Sequence, residues 1–133
     1  MEANALVEMD ENAIGKIVLG CALRVHKALG PGLLEKAYED CLAHEIRKTG
    51  LTVASQPTMP LVYDGIRIGK GYKLDLLIAK RVVIEVKAVE GLARLHHSQL
   101  LSYLKIGGYR LGYLLNFNVP RMRDGIFRIA NGL

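Results

Sequence analysis

Cysteine is scarce in this chain of 133 residues, occurring only as Cys21 and Cys41. Neither belongs to a CxxC pair or a Cys/His cluster, so the sequence offers no zinc-type ligand set. Each falls at an apolar position of a helical pattern, and both are expected as buried free thiols. Long apolar runs are also missing. None approaches the ~20 residues that span a bilayer. Met1-Glu2-Ala3-Asn4 has neither the basic start nor the apolar stretch of a secretory signal. The expectation is a cytoplasmic, reducing location and no membrane partner. Internal repeats, low-complexity tracts and linkers are absent as well. At 14.7 kDa and 50% hydrophobic residues, the chain suits one folded domain over 1–133, its core at about 12–131, and not a disordered segment.

Charge is unevenly spread. Met1 to Glu45 carries 8 acids and 4 bases, while Ile46 to Leu133 carries 14 bases and 5 acids. An anion-facing surface therefore belongs to the C-terminal two-thirds, and Arg94, Lys105, Arg110, Arg121, Arg123 and Arg128 are its candidates.

Hydrophobic periodicity predicts a helix from Asn12 to Leu29, closed by Gly30-Pro31-Gly32, and a second from Leu33 to Lys48. Leu34, Ala37, Tyr38, Cys41, Leu42 and Ile46 form the apolar stripe of the second. Short strand signals follow at 51–55 and around a hairpin turn at Asp64-Gly65. Tyr72 to Ala79 and Val82 to Lys87 read as two central strands, almost continuously apolar. A third helix is predicted from Leu92 to Ile106, with a stripe of Leu92, Leu95, Leu100 and Tyr103. Strands at 110–117 and 126–130 complete the chain. A mixed sheet with helices on both faces accommodates this order.

Charged residues stand out inside the central strands. Asp75 interrupts one; Glu85 and Lys87 interrupt the other and share a face. A two-residue loop, Lys80-Arg81, pairs Asp75 with Val86 and turns it away from Glu85. A three-residue loop, Ala79-Lys80-Arg81, sets Asp75 opposite Glu85, and this is the register expected. Opposed carboxylates repel unless a cation lies between them. The alternatives are an internal ion-pair network with Lys87, or an Asp75 near a strand end and solvated. Two carboxylates and a lysine suit metal-dependent phosphodiester hydrolysis, since hard oxygens bind Mg2+. Gln99 is polar on an apolar stripe and shares a face with Tyr103.

Asp75 followed by Glu85-Val86-Lys87 resembles the D…(D/E)xK signature of the PD-(D/E)xK nuclease superfamily, with Leu74 where the signature often has proline. The match is closer to the GxxExxY family, whose motif stands here as Gly32-Leu33-Leu34-Glu35-Lys36-Ala37-Tyr38. Gln99 and Tyr103 resemble the QxxxY element of RecB-like nucleases. Asn116-Phe117-Asn118-Val119-Pro120 adds to a similarity that runs from about residue 14 to 130.

The resemblance implies a three-layer α/β/α restriction-endonuclease-like core with a mixed sheet of about four strands. It implies Asp75, Glu85, Glu35 and the backbone carbonyl of Val86 as metal ligands, with Mg2+ or else Mn2+ as cofactor. Lys87 would be the catalytic lysine, and Gln99 would contact the site or the nucleic-acid backbone. Tyr103 and Tyr38 would support the site. His96, three residues before Gln99, leans to the same side and is a candidate substrate contact. The implied partner is nucleic acid, DNA ahead of RNA. The alternatives are a catalytically silent nucleic-acid-binding module of the same fold, and an interaction protein. An exposed edge strand and an apolar first helix are compatible with a homodimer.

Overall fold

The computed structural model describes residues 9–133. Helix α1 (Glu11–Leu29) starts where Asp10 Oδ1 accepts the Ala13 N–H at 2.8 Å. It ends at Gly30, whose φ of 67° suits glycine and whose N–H donates to the His26 carbonyl. Ile14, Val18, Cys21, Ala22 and Val25 form its buried stripe.

Helix α2 (Glu35–Lys48) begins two residues later than the periodicity suggested. Tyr38 explains the delay. Its hydroxyl donates to the Gly30 carbonyl at 2.5 Å and accepts the Leu33 N–H at 3.1 Å. The turn is thereby held extended through Leu34, whose side chain is left 82% exposed and outside the expected stripe. The Tyr38 ring stacks on Phe117 at 4.7 Å. Cys41 also corrects the expectation: it is exposed, whereas Cys21 is buried. The buried line of α2 follows Tyr38, Leu42, Ala43 and Ile46, and Cys41 lies to its side.

Beyond the helices come strands β1 (Val53–Ser55), β2 (Thr58–Met59), β3 (Val62–Tyr63), β4 (Ile66–Arg67), β5 (Tyr72–Lys73), β6 (Leu76–Ile78) and β7 (Val82–Lys87). Helix α3 (Arg94–Gly107), β8 (Leu111–Asn116) and β9 (Ile126–Ala130) complete the chain. Asp64 and Gly65 both take positive φ (54° and 74°), the geometry that closes a two-residue hairpin between β3 and β4.

The main sheet has five strands, in the order β1-β6-β7-β8-β9, where about four were expected. Only β7 and β8 run parallel, and α3 makes the crossover that a parallel pair needs. Alternation along β7 divides the core. Val82, Ile84 and Val86 pack with α1 and α2, while Val83 packs with Leu100 and Leu104 of α3. The result is an α/β fold of three layers, consistent with a restriction-endonuclease-like core.

Two expectations about α3 are corrected. Its buried residues are Leu100, Tyr103 and Leu104, while Leu95 is 74% exposed. Gln99 is also exposed, because the buried line lies one residue beyond it. Glycine matters most where backbones cross. A Cβ at Gly125 would strike the Asn116 carbonyl oxygen and come within 3.0 Å of its carbon.

The Tyr38 contacts predict a graded loss. Tyr38→Phe should lower stability by about 1 kcal/mol, the value of one hydrogen-bonding hydroxyl. Tyr38→Ala also removes the ring stacked on Phe117 and should cost about 3–5 kcal/mol. Urea denaturation followed by circular dichroism measures both.

Candidate active site

The loop from β6 to β7 sets the geometry. Ile78 pairs with Val82, leaving Ala79, Lys80 and Arg81 between them. Ala79 and Lys80 take positive φ, and the Arg81 N–H donates back to the Ile78 carbonyl. Leu76 opposite Ile84 is the last ladder pair; the strand expected over Tyr72 to Ala79 breaks at Leu74 and Asp75, so Asp75 sits in a bend at the end of β6, beside Glu85. Glu85 shares the α3 face of β7 with Val83.

The two acids lock onto each other's backbone. Glu85 Oε2 accepts the Asp75 N–H at 2.8 Å, and Asp75 Oδ2 accepts the Val86 N–H at 2.8 Å. These bonds take over where the β6 ladder ends. On the other side of β7, the Lys87 carbonyl accepts the Phe117 N–H. Backbone groups alternate direction along a strand, so the Val86 carbonyl is directed to the Asp75 side. Lys87 is half-buried and lies on the same strand face as Glu85.

Two residues that sequence reasoning did not select complete the cluster. Gln56 Nε2 donates to both oxygens of Glu39, at 3.1 and 2.9 Å, and reaches Asp75 Oδ1 at 3.5 Å. Its own N–H donates to the Asp75 carbonyl at 2.8 Å, and its φ is 53°. That left-handed conformation is uncommon outside glycine and asparagine, and it turns the side chain in toward the acids. Glu39 is 5% exposed and also meets Lys36 Nζ at 3.3 Å. A legible signal existed for Glu39: it follows Tyr38 directly on the helix face that also carries Glu35. Gln56 gave none, since it sits in a short polar stretch before Pro57.

The remaining expected residues are placed unevenly. Glu35 is exposed in the first turn of α2, yet its charge still acts on Asp75. Tyr103 is buried close enough for the charges of Glu85 and Asp75 to raise its hydroxyl pKa, behind the larger effect of burial. Gln99 lies one turn before Tyr103 but makes no hydrogen bond to the cluster. His96 is half-buried, and its Nδ1 accepts the Ala93 N–H at 3.0 Å, capping α3. Tyr38 holds the loop before α2, away from the acids. The neighbouring His97 packs edge-on against Phe127.

The sequence matches the PD-(D/E)XK nuclease superfamily over residues 12–129. The chain belongs to that superfamily. No curated protein matches the sequence. Among the described residues no helix is long and apolar enough to cross a membrane.

In this PD-(D/E)XK protein the electrostatics of the acidic pair are unbalanced. Burial pushes Glu85 up to about 8, and the Asp75 charge adds to it; the Asp75 N–H and Lys87 only partly oppose them. Asp75 is also raised, first by burial, then by Glu39, against the Val86 N–H and Lys87. No ion pair within 4 Å joins either acid to a cationic side chain among the described residues. Such a site fits a hydrated divalent cation by its donor chemistry: hard carboxylate oxygens, a nearby carbonyl and an excess of negative charge. No set of three or more His, Cys, Asp or Glu side chains is gathered for a metal among the described residues. Water and backbone would therefore supply the other ligands, as Mg2+ prefers.

The raised pKa of Glu85 fixes the sign of a pH effect. The folded chain holds this proton more tightly than the unfolded chain, whose glutamates titrate near 4.3. Stability is therefore greatest below that value and is lost as pH rises toward about 8. In metal-free buffer the melting temperature should fall between pH 5 and pH 8. Glu85→Gln should flatten that fall, and Mg2+ at pH 8 should restore only the wild-type chain. Identical profiles for the two proteins would show that Glu85 does not carry the effect.

Proposed function

We propose that this protein is a Mg2+-dependent nuclease, with Mn2+ able to substitute, that hydrolyses phosphodiester bonds of nucleic acid, DNA ahead of RNA. The observation that carries the reading is the Asp75–Glu85 pair, held side by side through reciprocal backbone hydrogen bonds, with Lys87 on the same face. Superfamily membership supports it. The GxxExxY motif supports membership of that narrower branch, and Tyr38 gives the motif a structural reason, since it fixes the loop that delivers α2.

In this reading Asp75, Glu85 and the Val86 carbonyl hold the metal. Mg2+ bound there supplies a Lewis acid that eases deprotonation of water and offsets charge on the phosphate. Lys87 brings a positive charge to the same face, where it orients the attacking water and stabilises the phosphate as negative charge develops. Gln56 bridges Asp75 and Glu39 and orients both acids. Glu35, at the exposed rim, would add its negative charge to the metal site. Tyr103 walls the acids on the α3 side; Gln99, one turn away, contacts the nucleic-acid backbone. His96 has only its Nε2 left for substrate. The free thiols Cys21 and Cys41 suit a reducing, cytoplasmic setting.

Cleavage of labelled DNA and RNA, single- and double-stranded, tests the proposal in Mg2+ and Mn2+. Glu85→Ala and Lys87→Ala should each lose on the order of 100-fold or more in rate, and chelation should abolish activity. Binding without cleavage under either metal would instead make the chain a silent member of its fold. Cleavage surviving in Glu85→Ala would remove that residue from its role.

A further inference from the structure

The ribbon formed by β2 and β5, with the β3–β4 hairpin beyond it, contributes little to the core. Val62, Tyr63 and Ile66 of the hairpin are 57%, 72% and 61% exposed. Between hairpin and ribbon lies a cavity of about 370 Å3, lined by Thr58, Pro60, Arg67, Gly69 and Lys70. Its charge is one-sided. From Pro57 to Lys73 the bases are Arg67, Lys70 and Lys73, and the only acid is Asp64, at the exposed hairpin tip. Among the described residues, none of the three basic side chains has a hydrogen bond or ion pair. Arg24, Lys36 and Lys48, by contrast, each reach a carboxylate.

The cavity is built on a close backbone crossing. A Cβ at Gly71 would strike the Met59 carbonyl and come within 3.0 Å of the Pro60 Cα, and φ at Gly71 is 76°. The ribbon also joins the acidic cluster at two points. Tyr72, opposite Met59, packs its ring against Tyr103 at 5.1 Å. Thr58 lies two residues from Gln56, about 7 Å along an extended chain. The ribbon that carries the cavity therefore continues into the elements that hold the Asp75–Glu85 pair.

We propose that the Arg67–Lys70 cavity is a binding subsite for a backbone phosphate of the nucleic-acid strand, flanking the bond cleaved at Asp75 and Glu85. The inference rests on the nuclease reading and adds where the strand lies. Thr58 and the backbone at Gly69 offer neutral partners beside the two cations. The hairpin becomes a clamp, with Tyr63 exposed for contact with the strand.

The test compares Arg67→Ala/Lys70→Ala with Lys16→Ala/Lys27→Ala, which removes the same charge from exposed positions on α1. Binding of a labelled oligonucleotide, single-stranded and duplex, is followed by fluorescence anisotropy in Ca2+ buffer across a salt series. The cavity variant should bind at least tenfold more weakly, with its log–log salt slope shallower by about 1. The α1 variant should bind like wild type, and both should keep the wild-type melting temperature. Equal weakening of the two variants, or no weakening of the first, overturns the subsite while leaving the nuclease reading intact. No binding by the wild-type chain overturns both.

Discussion

Two carboxylates that repel each other are held within one strand pair, and the rest of the site is arranged around that constraint. Each acid accepts a backbone N–H from the other's strand. Hydrogen bonds to a carboxylate are among the stronger ones in proteins, but here they do not offset burial, and Glu85 stays pushed up to about 8. The surrounding fold supplies what this arrangement needs. The three-residue loop fixes the register, the sheet's apolar interior fixes the strand, and α2 and α3 close over the strand end from opposite faces.

The three layers thus do more than bury apolar surface. Val82, Ile84 and Val86 anchor β7 to α1 and α2, while Val83 anchors it to α3. A strand gripped on both faces cannot slip by one residue without turning its whole apolar set outward. Glu85 and Lys87 are therefore held on the α3 face by residues that have no part in chemistry. The same economy appears at Tyr38, whose ring packs on Phe117 while its hydroxyl shapes the loop before α2.

Much of this was legible from the sequence because the signals were local. Asp64-Gly65, Gly30 and the apolar run of β7 each dictate their own conformation, and the choice between two loop lengths reduced the Asp75–Glu85 question to a register. The less legible parts depended on tertiary contacts. Leu34 and Leu95 match a helical stripe by spacing, but Leu34 is held in an extended turn by Tyr38 and Leu95, in the first turn of α3, is left exposed. Gln99 looked misplaced only because Leu95 was counted on its stripe. Gln56 was invisible, since its importance comes from a left-handed backbone and from two acids distant in sequence. Arg67 and Lys70 escaped notice because nothing in a short hairpin marks which of its charges stay unpaired.

The choice of an amide at position 56 has its own consequence. Gln56 donates to Glu39 and reaches toward Asp75, yet it brings no charge. A lysine there would neutralise the cluster internally and remove its appetite for a cation. A neutral donor orients the acids and leaves their negative field undiminished, so the scaffold stays rigid while its electrostatic demand is left for something from solution to meet.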